Sequence, residues 1–97
     1  ALIRVKANLN HHTDELIEYD YHTDCGEYHP DGGENVFAGA TTAVFYLNDN
    51  DGYTFFKDGT RVQSKANRIV FFPVNIPHAG TSTTDTKFRF VLNLNYF

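Results

Sequence analysis

The 97-residue chain has no methionine, no tryptophan, one cysteine and three prolines. With Cys25 alone, no internal disulfide can form, which excludes the disulfide-stapled class of small secreted domains. Cys25 itself reads as a small buried residue. No apolar run approaches the roughly 20 residues that a membrane-spanning helix needs, and no signal peptide is visible. A cytoplasmic location is the default expectation. Basic residues are few and scattered: eight Lys and Arg against twelve Asp and Glu, for a net charge of −4. Nucleic-acid backbone binding is therefore not favoured. Helical periodicity is nearly absent, as are low-complexity tracts and linkers. The chain opens, without methionine, inside a strand-like run, and from this we expect further sequence upstream.

The residues that are abundant point to β-structure. Aromatics make up 15% of the chain, all of them Phe or Tyr, and these favour strands. Short β-branched or aromatic runs alternate with turn residues. Strands are predicted at "LIRVKANL" (2–9), "LIEYDYHTD" (16–24), "TTAVFYLN" (41–48), "YTFFK", "TRVQ", "RIVFF" (68–72), from "HAGTS", and in "KFRFVLNLNYF" (87–97). "CGEYHPDGGENVFAG" reads as a long glycine-rich loop, and Asp-Gly pairs mark two turns. About eight evenly spaced strands predict one all-β domain, best described as a jelly roll.

The triplet His-Thr-Asp occurs twice, as His12-Thr13-Asp14 and as His22-Thr23-Asp24. On a strand, residues two apart point to the same face, so a His and a carboxylate at that spacing can converge on one ion. The first copy lies in a polar connection, where Thr13 and Asp14 are better suited to satisfying a turn backbone. His11 beside it reads as a surface residue. The second copy ends an alternating run with Ile17, Tyr19 and Tyr21 on one face and Glu18, Asp20, His22 and Asp24 on the other. It is therefore the candidate metal pair. His78, after Pro77, is a third candidate ligand. Arg89 stands in an otherwise apolar strand, where a guanidinium must be paired or pointed at solvent. A carboxylate held bidentately is one such partner. Arg4 and Lys6 on the first strand are the alternative cations for that task.

His22-x-Asp24, a distal His78 and an Arg on the final strand, in this order, resemble the Fe(II)- and 2-oxoglutarate-dependent dioxygenases. The stretch "AVFYLNDNDGYTFFKDGTRVQSKANRIVFFPVNIPHAGTS" is similar to the segment between the metal motifs of prolyl-4-hydroxylase-like members. "KANL" and "LNLNYF" resemble a group of small phage and bacterial members. The resemblance implies a double-stranded β-helix of eight strands over residues 1–97, a single catalytic core without the helices that usually precede it. It implies Fe(II) on His22, Asp24 and His78, with 2-oxoglutarate and O2 at the remaining positions and ascorbate as an optional reductant. Arg89 would pair with the cosubstrate's distal carboxylate, with Tyr46, Asn93 and Asn8 as secondary candidates for that pocket. The implied reaction hydroxylates a small-molecule or peptidyl substrate and releases succinate and CO2. Without preceding helices, Ile17, Tyr19 and Tyr21 should form an exposed apolar face.

Glu27 and His29, in the glycine-rich loop, are candidates for a substrate lid or for a solvated loop. Two other readings use the same architecture. A cupin-type metal protein fits the Pro and His of "FPVNIPH", but Asn75 stands where that motif has Gly, and Asp24 where its first motif has His. A non-catalytic jelly-roll binding module would use the aromatics but leave His22, Asp24, His78 and Arg89 without a task. No pattern in the sequence favours a particular oligomeric state.

Overall fold

The computed structural model describes residues 1–24 and 39–97, and every regular element among them is a strand. These are β1 (Leu2–His11), β2 (Thr41–Tyr46), β3 (Tyr53–Phe56), β4 (Arg61–Gln63), β5 (Ile69–Pro73), β6 (His78–Ala79) and β7 (Phe88–Tyr96). They form two sheets with strand orders β1-β7-β2-β5 and β4-β3-β6. All pairings are antiparallel. The result is the all-β jelly roll that the strand spacing predicts, a double-stranded β-helix as the resemblance implies, with seven strands among the described residues. The glycine-rich loop, with Cys25, Glu27 and His29, lies outside the described residues.

The stretch 16–24 is not the regular strand its alternation predicts. It runs beside β6 and meets that edge through isolated bridges, Glu18 to Thr81 and His22 to His78. Between these bridges one chain advances from 18 to 22 and the other from 81 to 78, so the first carries one extra residue. Such a bulge breaks the strict alternation of side chains and re-aims those beyond it. Tyr19, Asp20 and His22 consequently line the cavity between the sheets. Glu18 and Tyr21 instead face an outer cleft with Phe55 and Arg61. The expected sorting of Glu18 with His22, and of Tyr19 with Tyr21, is thereby corrected. Ile17, Tyr19 and Tyr21 are each exposed, but Tyr19 and Tyr21 do not share the single apolar face that the alternation predicts.

Period-two patterning on β7 shows how the large sheet faces both ways. Val91 and Asn95 are buried inward, together with Arg89, while Phe88 and Phe90 stay exposed. Inward side chains of β2, β5 and β7 build the main core from Val44, Tyr46, Phe72 and Val91, with Phe56 packed against it. The Phe56 and Phe72 rings meet edge-on at 5.1 Å. Burial of each such ring stabilises the fold by about 1.5–3 kcal/mol. A second cluster of Tyr53, Phe55 and Ala79, with Leu16 against it, holds the 16–24 segment on the small sheet. On the outer side of the large sheet, Val5, Leu9, Ile69, Phe71, Phe88 and Phe90 remain exposed.

Candidate metal centre and anion seat

The strands place two of the metal-ligand candidates by backbone pairing alone. His22 and His78 exchange both backbone hydrogen bonds, at 2.9 and 3.0 Å, across the bridge that follows the bulge. Their rings stand 4.4 Å apart. Asp24 follows two residues later, and its Oδ1 lies 3.7 Å from the Nε2 of each histidine. One ligand atom from each of the three residues falls within 4.8 Å of the others. Metal–ligand bonds are about 2.0–2.2 Å long, so one ion can touch donors at this spacing. Two imidazoles and a carboxylate on one side of an ion are the donor set suited to non-haem Fe(II).

Surrounding groups aim these donors. His78 Nδ1 lies 2.9 Å from the Ile76 carbonyl, an acceptor that requires the proton on Nδ1 and leaves Nε2 free for a metal. Burial pushes the His78 pKa down, against the hydrogen bond to Ile76 and the Asp24 charge, which push it up, while His22 adds to the lowering. The net effect favours the neutral, ligating imidazole. The other Asp24 oxygen, Oδ2, accepts from Thr42 Oγ1 at 3.0 Å and from Asn95 Nδ2 at 3.1 Å. Arg4 Nη2 approaches Asp24 Oδ1 at 3.8 Å, and Arg4 Nε donates to Asn95 Oδ1 at 3.2 Å. Asp24 is thus buried yet fully supported, with one oxygen left toward the histidines.

His12 and Asp14 are placed differently. His12 Nδ1 sits 3.1 Å from the Thr86 carbonyl at an exposed turn. His12 Nε2 is 3.9 Å from Asp14, whose side chain is fully exposed. Among the described residues, the His22, Asp24 and His78 group is the one cluster able to hold a metal. His11 meets Phe88 at the surface with the two rings tilted, their centroids 5.6 Å apart.

Arg89 lies on the same cavity, which has a volume of about 170 Å³ and is also lined by His22, His78, Asn8, Asn93 and Thr54. The Arg89 side chain is only 2% exposed. No carboxylate pairs with it among the described residues. Its Nε donates to Ser64 Oγ at 3.1 Å, its Nη2 to Thr54 Oγ1 at 3.4 Å, and its guanidinium lies 5.8 Å from the Tyr46 ring centroid. Burial lowers the Arg89 pKa below its ordinary value, opposed by the phenols of Tyr46 and Tyr19. Gly80 leaves the guanidinium its room, since a Cβ there would stand 3.3 Å from Nη1. A buried cation with no counter-ion is costly, so its place on a cavity wall makes Arg89 a candidate anion seat.

The cosubstrate-pocket candidates divide. Asn8 and Asn93 line the cavity. Tyr46 does not: it is fully buried under Arg89, and its hydroxyl donates to Thr54 Oγ1 at 2.7 Å. Asn95, Thr42, Thr54 and Ser64 are residues that the sequence reading missed. Asn95 had a signal, because it continues the inward row of Arg89, Val91 and Asn93. The other three are ordinary small polar residues whose contacts arise from tertiary packing.

The chain superposes on a solved RmlC-like cupin protein from Desulfovibrio desulfuricans with a TM-score of 0.55 and 14% identity, covering 96% of this chain and 82% of that one. That likeness concerns the fold. No curated protein matches the sequence. The model of the 2OG-Fe(II) oxygenase superfamily, where 2OG is 2-oxoglutarate, matches residues 5–97. Nearly the whole chain is spanned by that match, and the chain belongs to the 2OG-Fe(II) oxygenase superfamily.

Proposed function

We propose that this chain is an Fe(II)- and 2-oxoglutarate-dependent dioxygenase that hydroxylates its substrate. The observation that carries the reading is the position of Arg89. A buried guanidinium, without a carboxylate partner among the described residues, lines the same small cavity as the His22, Asp24 and His78 cluster. A dicarboxylate that reaches an ion at one end and a cation at the other suits that arrangement.

In this reading His22 Nε2, Asp24 Oδ1 and His78 Nε2 would hold Fe(II). Bound there together with 2-oxoglutarate and O2, Fe(II) would supply oxidative decarboxylation coupled to hydroxylation, with succinate, CO2 and the hydroxylated substrate as products. The chain's own residues bind and orient. Arg89 receives the distal carboxylate through its unspent N–H donors. Thr54 Oγ1 already accepts from Tyr46 and Arg89, so its own proton is free to turn toward the cavity as a second donor. Asn8 and Asn93 give the intervening wall amide groups. Thr42 and Asn95 keep Asp24 turned so that its Oδ1 meets both histidines.

The test is anaerobic addition of 2-oxoglutarate to the Fe(II)-loaded chain, followed by air. Saturable binding and slow succinate formation without added substrate are expected. Failure of the iron-loaded protein to bind 2-oxoglutarate contradicts the proposal. A cupin-type metal protein is the second reading, favoured by the same three ligands. It predicts metal uptake without 2-oxoglutarate binding, and it leaves Arg89 without a role.

A further inference from the structure

We infer that the substrate of this site carries an anionic group, a carboxylate or a phosphate, received by Arg4 and Lys6 of β1. The inference rests on the oxygenase reading and adds the substrate class to it. Strand register supplies the argument. Along β7 the inward row runs Arg89, Val91, Asn93, Asn95, from the anion seat to the partner of Asp24. Antiparallel β1 sets Asn10 opposite Arg89, Asn8 opposite Val91, Lys6 opposite Asn93 and Arg4 opposite Asn95. Asn8 and Asn10 line the cavity, and residues two apart on a strand share a face, so Lys6 continues their row and Arg4 ends it. The cosubstrate end of the site is thus faced by amides, and the metal end by two cations.

β1 is the outermost strand of its sheet, and both cations stand exposed on it at the metal end of the row. Arg4 spends Nε on Asn95 and leans one Nη toward Asp24, yet its side chain is 45% exposed. Donors of its fork remain unused. Lys6 is exposed, and among the described residues it makes no ion pair. Among the described residues, the facing wall contributes Asp20, the one acidic residue besides Asp24 near the cavity. When the site is loaded, the charge of a divalent metal cancels that of the cosubstrate dianion. Among the described residues, Arg89 and Arg4 balance Asp24 and Asp20, and Lys6 is left over. The remaining positive charge lies on β1, toward the metal end of the site.

The test uses the whole chain loaded with Mn(II) and 2-oxoglutarate, which fills the Arg89 seat without turnover. Methyl phosphate and acetate are titrated separately at constant ionic strength, with chloride as the control, and binding is read by calorimetry. At least one of the two is expected to bind saturably and more tightly than chloride. Lys6→Gln should weaken it about fivefold, and Arg4→Gln with Lys6→Gln tenfold or more, while Lys6→Arg keeps it. A preference for methyl phosphate identifies a phosphate, and equal or better binding of acetate a carboxylate. Mn(II) affinity is measured on each variant, so that a loss of metal through Arg4 is not counted as a loss of anion binding. If loading succeeds and neither anion binds, or the variants bind as the parent does, the inference fails and the oxygenase reading stands. If the parent takes up no 2-oxoglutarate, both fail.

Discussion

Asp24 is the residue on which the metal centre turns, because each of its oxygens has a separate task. Oδ2 is held by Thr42 and Asn95, and this fixes Oδ1 toward the two histidines. Groups that orient a metal ligand typically matter by 10–100-fold in affinity. Asn95→Ala, or Thr42→Val, should therefore weaken Fe(II) binding by about that factor in an anaerobic titration, without removing it. Asp24→Ala and His22→Ala should abolish binding, whereas His12→Ala and Asp14→Ala should leave it within about twofold. Equal loss from His12→Ala would reverse the assignment of the two His-Thr-Asp copies. The ligand candidates were legible because histidine and carboxylate at a two-residue spacing, and an arginine in an apolar strand, are chemically unusual. Thr42, Thr54 and Ser64 were not, because a threonine or serine in a strand looks the same whether it supports a ligand or packs against solvent.

At the level of elements, the bulge between Glu18 and His22 and the loops around Arg89 shape the site. Alternation in 16–24 suggested a regular strand, and a single extra residue was enough to exchange the faces of Glu18 and Tyr19. A one-residue shift leaves no mark in composition, and the clean alternation of Ile17, Tyr19 and Tyr21 with Glu18, Asp20 and His22 reads as an unbroken strand. The β2–β3 loop is more tightly specified. A Cβ on Gly52 would stand 2.6 Å from Arg89 Cδ, 2.7 Å from the Ser82 carbonyl and 2.8 Å from Asn50 Oδ1. Gly52→Ala should cost about 1–3 kcal/mol, as overpacking does, and should weaken 2-oxoglutarate binding by displacing Arg89. Gly59, at φ +93°, has open space where a Cβ would go. Gly59→Ala should cost about 1–2 kcal/mol through backbone strain and leave cosubstrate binding unchanged. Thermal melting with paired 2-oxoglutarate titration separates the two; equal effects on binding would contradict the role given to Gly52.

Asp51 ties that loop to the β6–β7 connection. Its carboxylate accepts from the Thr84 amide at 2.8 Å, from Thr83 Oγ1 at 3.2 Å and from the Thr84 hydroxyl. Burial raises the Asp51 pKa, but these hydrogen bonds outweigh it and hold the group below its ordinary value of 3.8. The unfolded chain therefore takes up this proton more readily than the folded one. The clamp contributes stability in full above the ordinary value and loses it as pH falls through the lower, folded value. Asp51→Asn should destabilise the protein by about 1 kcal/mol at neutral pH. The gap between parent and variant should narrow as pH is lowered below about 4. Denaturant midpoints across pH measure it, and a gap that widens in acid would contradict the sign.

For the whole molecule, two small cores and two sheets suffice to bring together residues from both ends of the chain. β1 and β7 pair over nearly their full length, so the first and last strands share one wall of the cavity. Even strand spacing made the fold class legible. The relative placement of Arg89 and His78 depends on sheet order, which no local pattern encodes. The central claim is that the metal cluster and Arg89 form a single site with separable tasks. Paired anaerobic titration of Fe(II) and 2-oxoglutarate on the parent, Arg89→Ala and Arg89→Lys tests it most directly. Fe(II) affinity should stay within about twofold in all three, because the metal ligands are elsewhere. 2-Oxoglutarate should bind Arg89→Ala about 2–5 kcal/mol more weakly, roughly 30-fold or more, since a carboxylate is left in the cavity without its cation. Arg89→Lys should fall between, keeping the charge and losing the fork. Binding of 2-oxoglutarate to Arg89→Ala as tightly as to the parent would contradict the account.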